Sequence, residues 1–337
     1  MTALAPHLTA FLCKHLPAER GASPHTCDTY AYCFQLLVCF AASRLGIKPS
    51  QLEVEQLDAA LVLAFLEHLE QQRKNSGRTR NARLAAINAF FRFLEYRLAS
   101  SLDQSRQIHA IPMKKTDEAL VAYLTRDELR ALLDAPDPRV ASGVRDRAML
   151  HLAFAAGLRV SELIGLRHDQ LEIQAPASIH VLGKGRRERR LPLWKETTTV
   201  LRAWLAVRPR DGDRELFLNA RGRAMTRSGF EYILAVHAAE AARKQSSIAG
   251  KRVTPHVLRH TCAMHTLHAT HDVRKVSLWL GHASLQSTEI YLRTDPTEKL
   301  AALNATMPPA LKPGRFRPPD RLMEMLRSSK RAENYVE

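Results

Sequence analysis

Apolar residues recur at helical spacing through the first hundred positions. Tyr30, Cys33, Leu37 and Phe40 fall on one stripe, and Leu84, Ile87, Phe91, Leu94 and Leu98 on another. Intervals of three and four are the signature of an amphipathic helix with one face in a core. The run from Leu57 to Leu69 is apolar enough to lie between these two stripes. Few Val or Thr residues alternate here, so the pattern predicts a helical domain of about four helices over 1–103. The stretch 104–118, QSRQIHAIPMKKTDE, lacks periodicity and contains a proline, which marks an interdomain linker.

A second patterned region, 119–305, follows. Thr125-Arg126-Asp127-Glu128 has the form of a capping box ahead of Leu129, Leu132 and Leu133. Helical patterning runs on through 143–156 until Gly157 interrupts it. At 178–193, SIHVLGKGRRERRLPL predicts two short strands around a Gly-Lys-Gly turn, after which the pattern is helical again. The tail, 306–337, opens with Pro308, Pro309, Pro313, Pro318 and Pro319. It continues into a short amphipathic stretch around Leu322, Met325 and Leu326, suited to docking on a partner. The expected fold class is therefore mainly α with a small β-hairpin or sheet, in two domains.

Length and charge sharpen this picture. The 337 residues exceed one ordinary core, and 45% apolar with 25% charged residues is the balance of a folded chain. Lys and Arg outnumber Asp and Glu by 50 to 34, a net +16. Residues 1–118 carry 14 basic and 11 acidic side chains, net +3, and 119–337 carry 36 and 23, net +13. Such a surplus points to a polyanion, met mostly by the second domain. No apolar run approaches the roughly 20 residues that span a bilayer. The N-terminal stretch also lacks the positive segment of a signal peptide. A membrane partner is not expected. The five cysteines, at 13, 27, 33, 39 and 262, have no paired spacing and read as reduced thiols of a cytoplasmic protein.

Several clusters could carry chemistry. Arg73, Lys74, Arg78, Arg80 and Arg83 gather at the start of the last helix of the first domain. They are either a solvated face or phosphate contacts, and their single sign beside a helix N-terminus favours the second. Thr254 and Pro255 suit the N-cap and first helical position, which places His256 and Arg259 on one face of the first turn. That arrangement makes an oxyanion site, unless Arg259 is simply paired with a buried carboxylate. Arg159 follows the break at Gly157, and Glu162 three residues later could hold its guanidinium. Lys184 sits at the hairpin tip, with Arg186, Arg187, Arg189 and Arg190 beside it. The lysine could swing into a groove, or the whole could be a solvated basic loop. The Tyr291 hydroxyl is a poor nucleophile at neutral pH unless a base takes its proton and cations stabilise the charge. Just upstream, Gly281 can end a helix and leave His282 at a turn, and Ser287 or Thr288 can cap the helix of Tyr291. His265, His268 and His271 near Cys262 invite a metal reading. No HExxH or paired CxxC pattern supports it, so no metal or cofactor is expected.

Taken in order, GLRVSEL, the GKG…RLPL hairpin, TPHVLRH and LGH followed by Tyr291 resemble the tyrosine recombinase (phage integrase) family, in its compact resolvase-like or transposon-borne form. The resemblance covers the whole second domain, and the helical first domain suits the family's SAM-like core-binding module. It implies a C-shaped clamp on double-stranded DNA and a synaptic tetramer on two sites. The tail would then pack on a neighbour, and a second recombinase is an allowed partner. Tyr291 would attack the scissile phosphate and form a 3′-phosphotyrosyl bond. Arg159 and Arg259 would grip the non-bridging oxygens, Lys184 would protonate the departing 5′-oxygen, and His256 would accept the tyrosine proton. His282 would donate to a phosphate oxygen, with Glu162 behind the arginines. The ester conserves the bond energy, so neither ATP nor metal is needed. A non-cleaving DNA-binding regulator or partner recombinase of this fold would have a broken catalytic set. A type IB topoisomerase-like relaxase would suit the helical front domain and the LGH box less well.

Overall fold

The computed structural model describes residues 2–117, 120–183, 188–209, 212–282, 284–294 and Met325. The chain divides into two compact units, Met1–Glu118 and Ala119–Glu337.

In the first unit, helix α1 (Leu4–Ala10) runs into a π-helical stretch, Phe11–Glu19, and is followed by α2 (Pro24–Leu45), α3 (Ala59–Gln71), α4 (Gly77–Glu95) and α5 (Leu102–His109). The starts are written in the sequence. Ser23, Asp58 and Ser76 each accept a backbone N–H three residues on, and Pro24 occupies the first turn of α2. Each such cap contributes about 1 kcal/mol. The expected stripes close on one core. Cys33 and Leu37 of α2, Phe65 of α3, and Ile87, Phe91 and Leu94 of α4 are all buried there. Phe11, Phe34, Phe90 and Phe93 stack edge-on or tilted within it. Helix α5 corrects the expected linker at 104–118. Ser105 and Ile108 bury against the core, and the Gln104 amide donates to the Val54 and Leu57 carbonyls. Side-chain anchoring of this kind stabilises an eight-residue helix too short for its own periodicity to show.

The second unit begins its regular structure at α6 (Arg126–Leu133), whose Thr125–Glu128 capping box forms as expected. Helix α7 (Ala141–Ala155) is its centre, buried on most sides from Ala148 onward and packed on α9 (Lys195–Val207) and α11 (Pro255–Thr270). A short α8 (Val160–Ile164) leads to a three-stranded antiparallel sheet in the order β1 (Leu171–Glu172), β2 (Ser178–Leu182), β3 (Glu188–Pro192). The hairpin is present, and β1 adds a strand too short to be read from alternation. Ile179, Val181 and Leu191 face the core. Helices α10 (Arg227–Lys244), α12 (Val273–Leu280) and α13 (Glu289–Thr294) complete the described part. The helical pattern expected after the hairpin is interrupted by irregular segments at 208–209 and 212–226, the second held by isolated bridges such as Leu218 to Ala224. The hairpin tip 184–187, and the tail beyond 294 apart from Met325, lie outside the described residues. Among the described residues, no helix is long and apolar enough to cross a membrane.

Candidate active site

The site assembles where α7 ends. Gly157 takes φ +55, and a Cβ there would lie 2.5 Å from Leu280 Cδ2, so only glycine lets the chain turn this close to α12. Arg159, two residues on, caps α8. Its backbone N–H donates to Glu162 Oε2 at 2.9 Å and its Nη1 to Oε1 at 2.8 Å, the expected use of Glu162. The Arg159 side chain keeps 30% of its surface exposed.

Arg259 comes from the first turn of α11, where Thr254 caps the helix and Pro255 starts it. It is 4% exposed. Its guanidinium donates to the Gly157 and Leu280 carbonyls, the second at 2.7 Å, and stands 3.9 Å from Glu162 Oε2. Arg259 is therefore tied to two helix ends, not hydrogen-bonded to the carboxylate. Burial and the neighbouring Arg159 charge draw its pKa down to about 10, which leaves it a cation at neutral pH. Burial works against Glu162 ionising, but hydrogen bonds from Arg189 and Arg159 outweigh it and hold the carboxyl below its usual range.

Tyr291, on α13, is 2% exposed. Burial pushes its hydroxyl up to about 12, with the Arg259 charge opposing. The hydroxyl shares a 3.0 Å hydrogen bond with His260 Nδ1. Its expected partner, His256, sits one turn nearer the helix start and stacks on His260 with centroids 6.3 Å apart. A residue four further along α11 is the one brought level with the phenol. Burial, with the His256 and Arg259 charges, takes His260 down to about 4. Gly281, at φ +63, ends α12 as expected and turns His282 back toward the site. His282 Nδ1 shares a 2.7 Å hydrogen bond with Thr288 Oγ1, so that hydroxyl orients the imidazole. The His282 ring lies parallel to Tyr291 at 6.3 Å, and burial together with Arg259, Arg159 and Arg189 brings its pKa to about 4.

Arg159, Glu162, Arg259, His256, His282 and Tyr291 are thus gathered in one place, while Lys184, Arg186 and Arg187 lie outside the described residues. Two members escaped the sequence reading. His260 was hidden by its neighbour, since Arg259 already accounted for that turn. Arg189 was counted as hairpin charge, yet its side chain is 10% exposed and bonds both Glu162 oxygens, at 2.7 and 3.2 Å. The sequence carries only a weak signal, its two-residue spacing from Leu191; the register that pairs Arg189 with Val181 is what puts it on the inward face of the sheet.

The basic cluster of the first unit divides. Arg73, Lys74 and Arg78 are exposed, and Arg73 donates to the Tyr32 hydroxyl at 3.2 Å. Arg83 lies over the Tyr32 ring at 5.0 Å and donates to the Thr29 carbonyl. Arg80 is corrected. It is 4% exposed and donates to the Pro112 carbonyl at 2.8 Å, which fastens the segment after α5 to α4 and leaves no guanidinium for a phosphate. The histidines past Cys262 are absorbed by packing. His265 meets the Leu124 carbonyl, His268 packs edge-on to Tyr123, and His271 ends α11 in the left-handed region.

Two guanidiniums fixed beside a phenol and two imidazoles are the equipment of phosphoryl transfer, in which cations meet developing oxyanion charge. Residues 122–298 match the phage integrase family, and residues 9–97 the phage integrase N-terminal SAM-like domain. The integrase/recombinase y4rC of Sinorhizobium fredii is 45% identical over 325 residues, 96% of this chain and 98% of the relative. Tyrosine recombinase XerC of Pelobacter propionicus is 33% identical, over 89% of this chain and 94% of the relative. The chain belongs to the phage integrase family and is an enzyme of the tyrosine recombinase class. In fold it is similar to the Tn1549 transposon integrase in complex with transposon right end DNA (TM-score 0.67, 17% identity, 91% of this chain and 99% of that one). It is also similar to the XerH site-specific recombinase bound to palindromic difH substrate (TM-score 0.65, 21% identity, 87% and 83%).

Proposed function

We propose that this chain is a site-specific DNA recombinase that cuts and rejoins strands through a 3′-phosphotyrosyl bond on Tyr291. The observation that carries the reading is the convergence of Arg159 and Arg259 beside a histidine-bonded phenol. The Tyr291 oxygen attacks the scissile phosphorus, forming one P–O bond as the bond to the 5′-oxygen breaks. Arg159 and Arg259 hold the non-bridging oxygens, where charge builds in the transition state. His282 donates to one of them. Lys184 delivers a proton to the 5′-oxygen, because an ammonium gives one up far more readily than a guanidinium. The phenolic proton passes to His260, the imidazole in contact with it; His256, to which the family resemblance gave that role, lies one turn nearer the start of α11. Tyr291 is buried and its hydroxyl is hydrogen-bonded to His260, so attack requires that hydroxyl to reach the phosphorus.

The partners are double-stranded DNA and further copies in a tetramer spanning two sites. Arg73, Lys74 and Arg78 contact backbone phosphates in this reading, together with Arg186 and Arg187 at the hairpin tip. The reaction takes place in the cytoplasm on a mobile element or replicon. The test is a plasmid bearing two copies of the DNA that flanks the chain's own gene. Strand exchange by the wild type and its absence with Arg159→Ala would support the reading. Relaxation of a one-site supercoiled circle without exchange would replace it with a relaxase, and binding without cleavage with a regulator.

A further inference from the structure

Glu162 is the only carboxylate hydrogen-bonded in the described arginine cluster, and its lone pairs are fully engaged. Oε1 accepts from Arg159 Nη1 and Arg189 Nη1, and Oε2 from the Arg159 backbone N–H and Arg189 Nη2. Arg259, 3.9 Å from Oε2, donates no hydrogen bond to it and is held by two carbonyls instead. Three guanidiniums and one carboxylate leave a net charge of +2 facing any incoming phosphate. Arg189 reaches this position from β3, and its guanidinium lies 3.1 Å from where a Cβ on Gly281 would stand, just before His282.

Without Arg189 the balance changes. Glu162 would have two vacant lone pairs in a desolvated site, and the cation within reach of the freed Oε2 is Arg259. A buried carboxylate left short of partners is costly, so it would capture that guanidinium. The cluster would then carry +1, and a phosphate would have to displace an internal anion to engage both arginines.

We infer that Arg189 is a positioning residue: by filling the lone pairs of Glu162 that Arg159 leaves, it keeps Arg259 off the carboxylate and able to meet the phosphate. This rests on the recombinase reading above. It is tested by the single-turnover rate of covalent adduct formation on a nicked duplex of the flanking DNA, at saturating protein. Arg189→Met should bind the duplex as the wild type does, yet form adduct at least about tenfold more slowly. In a Glu162→Gln background, where no charge needs saturating, Arg189→Met should cost less than about threefold. Arg189→Lys, which keeps the charge but not the two-pronged contact, should recover part of the loss and form adduct faster than Arg189→Met.

An Arg189→Met loss of equal size in both backgrounds would overturn the inference, because it would make Arg189 a packing residue only. So would Arg189→Lys falling as low as Arg189→Met, or Arg189→Met matching the wild type. Absence of adduct with the wild type itself would overturn the recombinase reading and the inference with it.

Discussion

The hydrogen bond between His260 and Tyr291 joins two groups whose acidities burial has driven apart, the imidazole down to about 4 and the phenol up to about 12. Across the neutral range the proton stays on the oxygen. His260→Ala should therefore slow adduct formation by about a hundredfold, as expected for loss of a positioned base, and His256→Ala should slow it less. Equal losses, or a larger one at His256, would return the proton to the residue first assigned. The same shifts bear on stability. For His260 and His282 the folded pKa lies below the ordinary imidazole value of 6.5, so the unfolded chain binds more protons between about 6.5 and about 4. Stability should fall as pH drops through that window and level off below it. Melting temperature against pH checks this, and His260→Gln should flatten the dependence. At this scale Arg159, Arg259, His282 and Tyr291 were legible through the ordered motifs of the family resemblance, while capping placed only His256 and Arg259 on one turn. Arg189 and His260 were not, since their importance comes from a strand register and from a partner 31 residues away.

Helix starts were among the legible elements, because a cap is a local event: Thr125 and Thr254 were read from the sequence, and Ser23, Asp58 and Ser76 are caps of the same kind that the structure adds. Helix α5, strand β1 and the π-helical stretch 11–19 were not, because packing rather than propensity defines them. The junction at Gly157 joins both kinds of information, since the sequence marks the break and the packing of Leu280 against it makes the glycine obligatory. Gly157→Ala should destabilise the second unit by about 2 kcal/mol or more, through left-handed strain and the collision with Leu280. Gly250→Ala, whose Cβ would meet nothing within 4 Å, is the control and should change stability little. Chemical denaturation of the two variants measures the difference, and equal stabilities would show that α12 is not seated on this turn.

Across the whole chain, charge and family agree on where the work is done. Residues 119–337 carry +13 of the net +16 and contain the matched region 122–298. The pattern of periodic segments located two domains, but only packing could show that the first unit extends through α5 and on to Glu118. A chain that contacts about six phosphates loses about a thousandfold in affinity between about 50 and 200 mM salt. Titrations on the flanking duplex should show such a linear fall, and a flat response would argue that the basic surplus faces something other than DNA. The central claim is that Tyr291 becomes covalently attached to a 3′-phosphate. Wild type and Tyr291→Phe should be incubated with a nicked duplex of the flanking DNA, denatured, digested with protease, and the DNA-linked peptide sequenced. A wild-type adduct on the peptide containing Tyr291, with none from Tyr291→Phe despite equal binding, is the predicted result. An adduct that persists in Tyr291→Phe, or that maps to another residue, would contradict it.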